Sequence, residues 1–170
     1  MLEKIELRTK LKSISMVDAV HDASVINRLN EIIKDKIVCT YVPIKNEINI
    51  NTYLYEQALL TTTCVTDENI KVCVYKEPLG KNKYNVYQPI NIKFIEKVDI
   101  FLVPGVGFDN KGTRLGKGSG IYDNLLSKFP NSIYFGITDR HHLVEHIPYE
   151  SHDISMHGLI THDEIIEINL

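Results

Sequence analysis

The 170-residue chain lacks any apolar run of membrane-spanning length, and residues 1–8 carry charge throughout. Neither a signal peptide nor a membrane anchor is expected, and a cytoplasmic location is the default. A surplus of one charge is missing as well: the formal net charge is -3, with acids and bases interspersed. Such a chain has no extended basic face to draw in a polyanion, which disfavours general nucleic-acid binding. Cysteine is scarce. Cys39, Cys64 and Cys73 are odd in number, widely spaced and set in apolar or β-rich surroundings, which suits reduced buried thiols better than disulfides or a Cys-x-x-Cys metal site. There is no internal repeat, low-complexity tract or interdomain linker. One compact domain over residues 1–170 is therefore expected, long enough to bury most of its apolar surface without covalent staples.

Hydrophobic periodicity predicts two N-terminal helices. The first carries Leu7, Leu11 and Ile14, the second Val25, Ile26, Leu29, Ile32 and Ile33. Strands are expected at residues 37–41, 71–76, 100–103, 133–137 and 159–161, with a short terminal one at 165–168 and a helix over 51–60. Strands alternating with helices imply an α/β fold, a mainly parallel sheet covered by helices on both faces. Residues 77–89, with Pro78, Gly80 and several Lys and Asn residues, read as an exposed loop.

Glycine is sparse, nine in all, yet Gly105, Gly107, Gly112, Gly116, Gly118 and Gly120 fall in one segment between the strand at 100–103 and a helix signalled by Ile121, Tyr122, Leu125 and Leu126. Successive N–H groups of such a loop can converge on an anion. Arg114 adds a planar fork of donors and Lys117 a compact cation, both suited to phosphate oxygens. Ser119 is placed to cap the helix, whose dipole would favour an anion at its start. Asp123, left beside this positive cluster, reads as a magnesium ligand next to a bound polyphosphate. Two better-known phosphate loops do not fit. Gly112 and Gly116 enclose three residues where a Walker loop needs four, and Lys117 is followed by Gly118. The even spacing of Gly116, Gly118 and Gly120 also departs from a dinucleotide fingerprint. The connection is long enough that a functional loop is expected.

Histidines crowd the last third of the chain. His142 and His146 stand four apart, but Pro148 ends any helix quickly and no Cys lies nearby, so a transition-metal site is disfavoured against hydrogen-bonding roles. His152, beside Asp153, is the most interesting of them.

The glycine-rich segment resembles the signature of the 5-formyltetrahydrofolate cyclo-ligase (methenyltetrahydrofolate synthetase) family, "VPG-x-x-FD-x-x-G-x-RLG-x-G-x-G-x-YD". Val103, Pro104, Gly105, Phe108, Asp109, Gly112, Arg114, Leu115, Gly116, Gly118, Gly120, Tyr122 and Asp123 are in register with it. Lys4 and Arg8, four apart on one helix face, are similar to the family's opening Lys-x-x-x-Arg helix. Tyr41, Pro43 and Glu47 resemble "Y-x-P-x-x-x-E", and Pro148, Glu150, His152 and Asp153 resemble "P-x-E-x-H-D".

The resemblance implies a Rossmann-like fold similar to the NagB/RpiA/CoA transferase-like one. It implies a monomer acting on small molecules, in which ATP is bound by Lys4, Arg8, Arg114, Leu115, Gly116, Lys117, Gly118, Ser119, Gly120, Ile121 and Tyr122. The folate would be held by Glu47 and by Lys117, Gly118, Ser119, Gly120 and Ile121; Mg2+ by Asp123 and Asp153; and Arg114, Lys117 and Asp123 would carry catalysis. Several positions depart from the pattern: Ile121 replaces an aromatic, Gln88-Pro89 a Glu-Pro pair, Asn49 an Asp, Ile50 a Thr, Ser15 an Arg and His157 an Asp. Two other readings stay open, a nucleotide- or phosphate-binding module that has lost folate chemistry and an ATP-dependent enzyme of another small substrate.

Overall fold

The central sheet is built from short strands whose alternate residues feed two separate cores. The computed structural model describes residues 2–16, 21–55, 58–66 and 69–168. Its main sheet has seven strands: β1 (Ile37–Thr40), β2 (Leu59–Val65), β3 (Ile70–Val74), β6 (Ile100–Pro104), β9 (Ile133–Ile137), β11 (Gly158–Ile160) and β12 (Ile165–Glu167). They lie in the order β12-β11-β9-β6-β1-β2-β3. The five inner strands are parallel, while β3 and β12 close the edges antiparallel. β6, at the centre, is buried at every position, as the continuous apolar run of an inner parallel strand requires.

Val38, Ile100 and Leu102 share one core cluster with Val25, Leu29 and Ile33 of helix α2 (Ala23–Ile33). Their sequence neighbours Cys39, Phe101 and Val103 share another with Leu125 and Leu126 of helix α3 (Ile121–Leu126). Helix α1 (Leu2–Lys12) buries only Lys4 and Leu11. Leu11 packs with Val106, Leu115 and Ile147 over a three-stranded sheet made of β7 (Gly107–Asp109), β8 (Arg114–Leu115) and β10 (Leu143–Val144). The apposition is close: a Cβ on Gly107 would collide with Leu11. No helix among the described residues is long and apolar enough to cross a membrane.

Several sequence expectations are corrected. The helix over residues 51–60 does not form. A 3₁₀ turn, Ile50–Tyr53, gives way to extended backbone at Leu54, and β2 starts at Leu59; residues 56–57 lie outside the described part. Two influences outweigh the helical pattern: the Asn51 side chain donates to Tyr41 O at 2.8 Å, and the β-branched run Thr61-Thr62-Thr63 favours pairing with β1. The exposed loop at 77–89 is a hairpin of β4 (Leu79–Lys81) and β5 (Tyr87–Pro89). Its turn is set by Asn82, whose Oδ1 accepts from Tyr84 N and Val86 N, and by Asn85 in the left-handed region at φ 62°. The long connection after β6 is likewise structured by β7 and β8. Helix α3 is capped by Gly120, at φ 65°, and not by a Ser119 side chain.

The chain order places the site. From β1 it runs outward to β2, then returns through β6, β9 and β11 on the other side. The switch point, between the C-terminal ends of β1 and β6, is where a crevice opens in such sheets.

Candidate functional site

A cavity of about 620 Å³ opens at that switch point. Tyr41 follows β1 into it, and Pro104 and Gly105 end β6 there. One wall is the glycine-rich segment with Arg114 and Lys117, another is the β4–β5 hairpin with Tyr84, Tyr87 and Gln88, and Ile121 of α3 lines the cavity as well.

The glycine-rich wall is held from below. Asp109, fully buried, accepts through Oδ1 from Lys111 N and Thr113 N at 2.9 Å and through Oδ2 from Ile147 N at 3.0 Å. Gly112 sits at φ 81°, where a Cβ would collide with the Met156 carbonyl, and Met156 N donates to Gly112 O at 2.8 Å. Only glycine fits there. Loop and C-terminal segment are thereby stitched together, which matters for the two carboxylates that the sequence separates by thirty residues.

Arg114, 7% exposed, donates from Nη2 to Asp123 Oδ2 at 2.9 Å and lies 5.3 Å from the Tyr122 ring centre. Its Nη1 is 3.5 Å from Pro104 O, and its buried Nε has no hydrogen-bond partner among the described residues. Asp123 Oδ1 accepts in turn from Ile154 N at 3.3 Å, so Asp123 abuts the residue that follows Asp153. Asp153 Oδ2 takes Lys4 Nζ at 2.6 Å and Glu150 N at 2.8 Å, and Lys4 also meets Glu150 Oε2 at 2.8 Å. One ligand atom from each of Glu150, His152 and Asp153 lies within 4.8 Å of the others. Arg8 Nε donates to Gly116 O at 2.8 Å, bringing α1 to the loop. Lys117 Nζ meets Glu47 Oε1 at 2.6 Å, and Glu47 Oε2 accepts from Ile44 N.

The residues picked out in the sequence thus converge on one region from four parts of the chain. Lys117, Gly116, Ser119, Gly120, Ile121, Tyr122, Arg114 and Glu47 line the cavity. Lys4, Arg8, Asp123 and Asp153 form the adjoining polar edge through the contacts above. Leu115 differs: its side chain is wholly buried with Leu11 and Val106, so it supports the loop from the core. Gly118, at φ 105°, faces the Arg8 guanidinium, 3.9 Å from where its Cβ would be.

Charge balance shapes this region. Burial pulls the Lys4 ammonium down, but the hydrogen bonds and charges of Asp153 and Glu150 outweigh it and hold the group above its ordinary 10.5. The Lys4 hydrogen bond, with its charge, holds Glu150 below 4.5. Burial pushes the Tyr122 hydroxyl up, helped by Cys39 and Glu47 and opposed by Arg114 and Thr63. Three of the site's cations, Lys4, Arg114 and Lys117, face carboxylates. An incoming polyphosphate and its counter-cation can therefore exchange partners with these pairs and leave no charge stranded.

Residues 3–162 match the sequence model of the 5-formyltetrahydrofolate cyclo-ligase family. The chain belongs to that family. A 5-formyltetrahydrofolate cyclo-ligase of Haemophilus influenzae is 30% identical over 89 residues, which cover 49% of this chain and 48% of the relative. One from Mycolicibacterium smegmatis is 26% identical over 151 residues, 76% of this chain and 75% of that one. The chain spans about half the length of several curated cyclo-ligases it matches. Among solved structures, the 5,10-methenyltetrahydrofolate synthetase of Aquifex aeolicus superposes with a TM-score of 0.82 at 28% identity, covering 100% of this chain and 94% of that one. The synthetase of Mycoplasma pneumoniae, 19% identical, shares the fold with a TM-score of 0.64 over 94% of this chain and 97% of its own.

Some departures from the cyclo-ligase pattern have local explanations. At position 157 a histidine Nδ1 accepts from Tyr134 N at 3.0 Å, an acceptor's role that a carboxylate could also fill; burial lowers its pKa below 6.5, in keeping with a neutral ring. Both ring nitrogens of His142 have partners within the protein. Its Nδ1 lies 2.7 Å from Asp139 Oδ1 and its Nε2 3.3 Å from Leu11 O, tying the end of α1 to the turn after β9. The sequence reading missed the hairpin wall and the anchoring role of Asp109. The pair Asn82 and Asn85 was the signal for the first.

Proposed function

We propose that this cyclo-ligase family member converts 5-formyltetrahydrofolate to 5,10-methenyltetrahydrofolate, with conversion of ATP to ADP and phosphate. The observation that carries the reading is the cavity's composition: Arg114 and Lys117, each paired with a carboxylate, line one part of it, and Tyr84, Tyr87 and Val86 of the hairpin line another, largely apolar one. A triphosphate suits the first wall and a flat heterocycle with a benzoyl arm the second.

The chemistry asks for alignment and charge neutralisation. The formyl oxygen is a poor leaving group; it attacks the γ-phosphorus of ATP, the bond to the β-phosphate oxygen breaks and ADP leaves. N10 of the folate then attacks the activated formyl carbon and gives up its proton to solvent, and the C–O bond breaks so that phosphate departs with the former formyl oxygen. Arg114 and Lys117 stabilise charge on the transferring phosphoryl oxygens, while loop amides and Arg8 orient the chain of phosphates. Glu47, fixed by Ile44 N, takes a donor of the folate once Lys117 turns to phosphate. Lys4 positions Asp153. Asp123 and Asp153 supply hard carboxylate oxygens of the type magnesium prefers, and magnesium there would screen the phosphate charge. The same reading makes the protein a cytoplasmic monomer with a single domain over residues 1–170 of the Rossmann-like, NagB/RpiA/CoA transferase-like kind, and the reversal of strand order between the parallel β1 and β6 supports that layering.

Purified protein given ATP, magnesium and 5-formyltetrahydrofolate should develop the absorbance of the methenyl product, one ADP per product. ATP turnover stimulated by another metabolite and not by this folate would replace the reading.

A further inference from the structure

We propose that Gln88 is a positioning residue for the folate-side wall, its carboxamide standing in for a strand that β1 does not provide. The argument begins with backbone groups. Tyr75 N donates to Leu60 O and Thr66 N to Asn69 O, so even-numbered residues of β2 turn their peptide groups toward β3. Those of Thr61, Thr63 and Val65 then face the β1 side. But β1 pairs with β2 only as far as Thr40 opposite Thr62. The N–H and C=O of Val65 project beyond the end of β1, beside the cavity that Val65 lines.

Gln88 fills that gap. Its Oε1 accepts from Val65 N at 2.9 Å, and its Nε2 lies 3.5 Å from Val65 O. The same Oε1 accepts from Asn82 Nδ2 at 3.0 Å, across the hairpin. One side chain therefore joins the end of β2 to both arms of the β4–β5 hairpin. The hairpin carries Tyr84, 65% exposed, and Tyr87, 49% exposed; the cations over these rings, Lys83 at 5.5 Å and Lys81 at 5.3 Å, belong to the hairpin itself. The geometry also accounts for the Gln-Pro in place of Glu-Pro: both short contacts use Gln88 as an acceptor, which a carboxylate would satisfy equally.

The inference rests on the reading above for the identity of the substrate. Gln88→Ala should raise KM for 5-formyltetrahydrofolate about five-fold, the effect of losing one or two modest hydrogen bonds. KM for ATP and kcat should stay within about two-fold, since the phosphate wall is untouched. Gln88→Glu should restore the folate KM to within about two-fold of wild type. Amide exchange at Val65, which needs no activity, should be protected in the wild type and in Gln88→Glu and at least about ten-fold faster in Gln88→Ala. Unchanged Val65 exchange would show that Gln88 holds nothing. Faster exchange with an unchanged folate KM, or with kcat and both KM values moving together, would reduce Gln88 to a general structural contact and overturn the proposal. A wild type inactive on this folate but with the expected exchange pattern would sink the functional reading and the folate assignment while leaving the Gln88 latch in place.

Discussion

The two walls of the cavity are built on opposite principles. On the glycine-rich side, Asp109 is fully buried and held by three backbone N–H groups, and Arg114, 7% exposed, is held by its ion pair with Asp123. On the hairpin side, Tyr84 is 65% and Tyr87 49% exposed, and Ile121 at the rim is 46% exposed. One wall is organised before a ligand arrives; the other offers apolar surface that a ligand must cover. Electrostatic stabilisation needs fixed charges, whereas a hydrophobic wall gains from burial wherever contact is made. Arg114→Ala should therefore have the largest effect of any single change. It removes a transition-state cation and strands the Asp123 carboxylate, so kcat should fall at least about 100-fold, and unfolding free energy should drop by about 3 kcal/mol. Steady-state kinetics with chemical denaturation checks both, and a mild loss of activity with full stability would mean that the wall is not pre-organised as described.

Lys117 sharpens the comparison, because it sits on the same wall but outside the rigid part. Its side chain is 44% exposed and its pair with Glu47 bridges to the loop after β1. Lys117→Ala should cost kcat about 10- to 100-fold and stability less than Arg114→Ala, because the Lys117 side chain is 44% exposed where that of Arg114 is 5% and the Glu47 carboxylate keeps its bond from Ile44 N. The attachment of α1 gives a subtler probe. Because Lys4 is held above 10.5, its contribution is fully present below 10.5 and is lost as pH rises through the higher folded value. Because Glu150 is held below 4.5, its contribution is present above 4.5 and is lost as pH falls through the lower folded value. Amide exchange along α1 should therefore show a flat plateau of protection with losses only at the two extremes. A loss confined to the neutral range would mean that the Lys4–Glu150 pair does not hold the start of α1.

What could be read in the sequence follows the same division. The glycine-rich wall was legible as a motif because Gly112, Arg114, Asp123 and Asp153 stand at recurring spacings; the Arg114–Asp123 ion pair and the positive φ of Gly112 emerge only from the structure. Four of the five parallel inner strands, β1, β6, β9 and β11, were legible too, β6 and β9 as nearly continuous apolar runs, whereas β2 was not. The hairpin wall was not. Its strands are three residues each, too short for an alternating pattern, and what holds it is a side-chain amide bonded to the backbone of a residue more than twenty positions away. Helical periodicity at 51–60 misled for a related reason: strand pairing with β1 is a tertiary effect that outweighs local propensity. Likewise, nothing in Ser119 itself indicates that the neighbouring Gly120 will take the left-handed conformation and the cap position.

Ile121, a half-exposed residue lining the cavity, tests whether the apolar side is as adaptable as its exposure implies. It follows the N-cap Gly120 at the first position of α3, its side chain at the cavity rim, so a larger group can be accommodated without disturbing the Arg114–Asp123 pair. Ile121→Tyr should lower KM for 5-formyltetrahydrofolate about two- to ten-fold, the worth of one added ring contact. The ATP KM, kcat and stability should move by less than about two-fold, because the substitution adds surface to the folate side alone. If the ATP KM rose in parallel, the nucleotide would have to cross the rim at Ile121, and the division of the cavity into a fixed phosphate wall and an adaptable folate wall would be wrong.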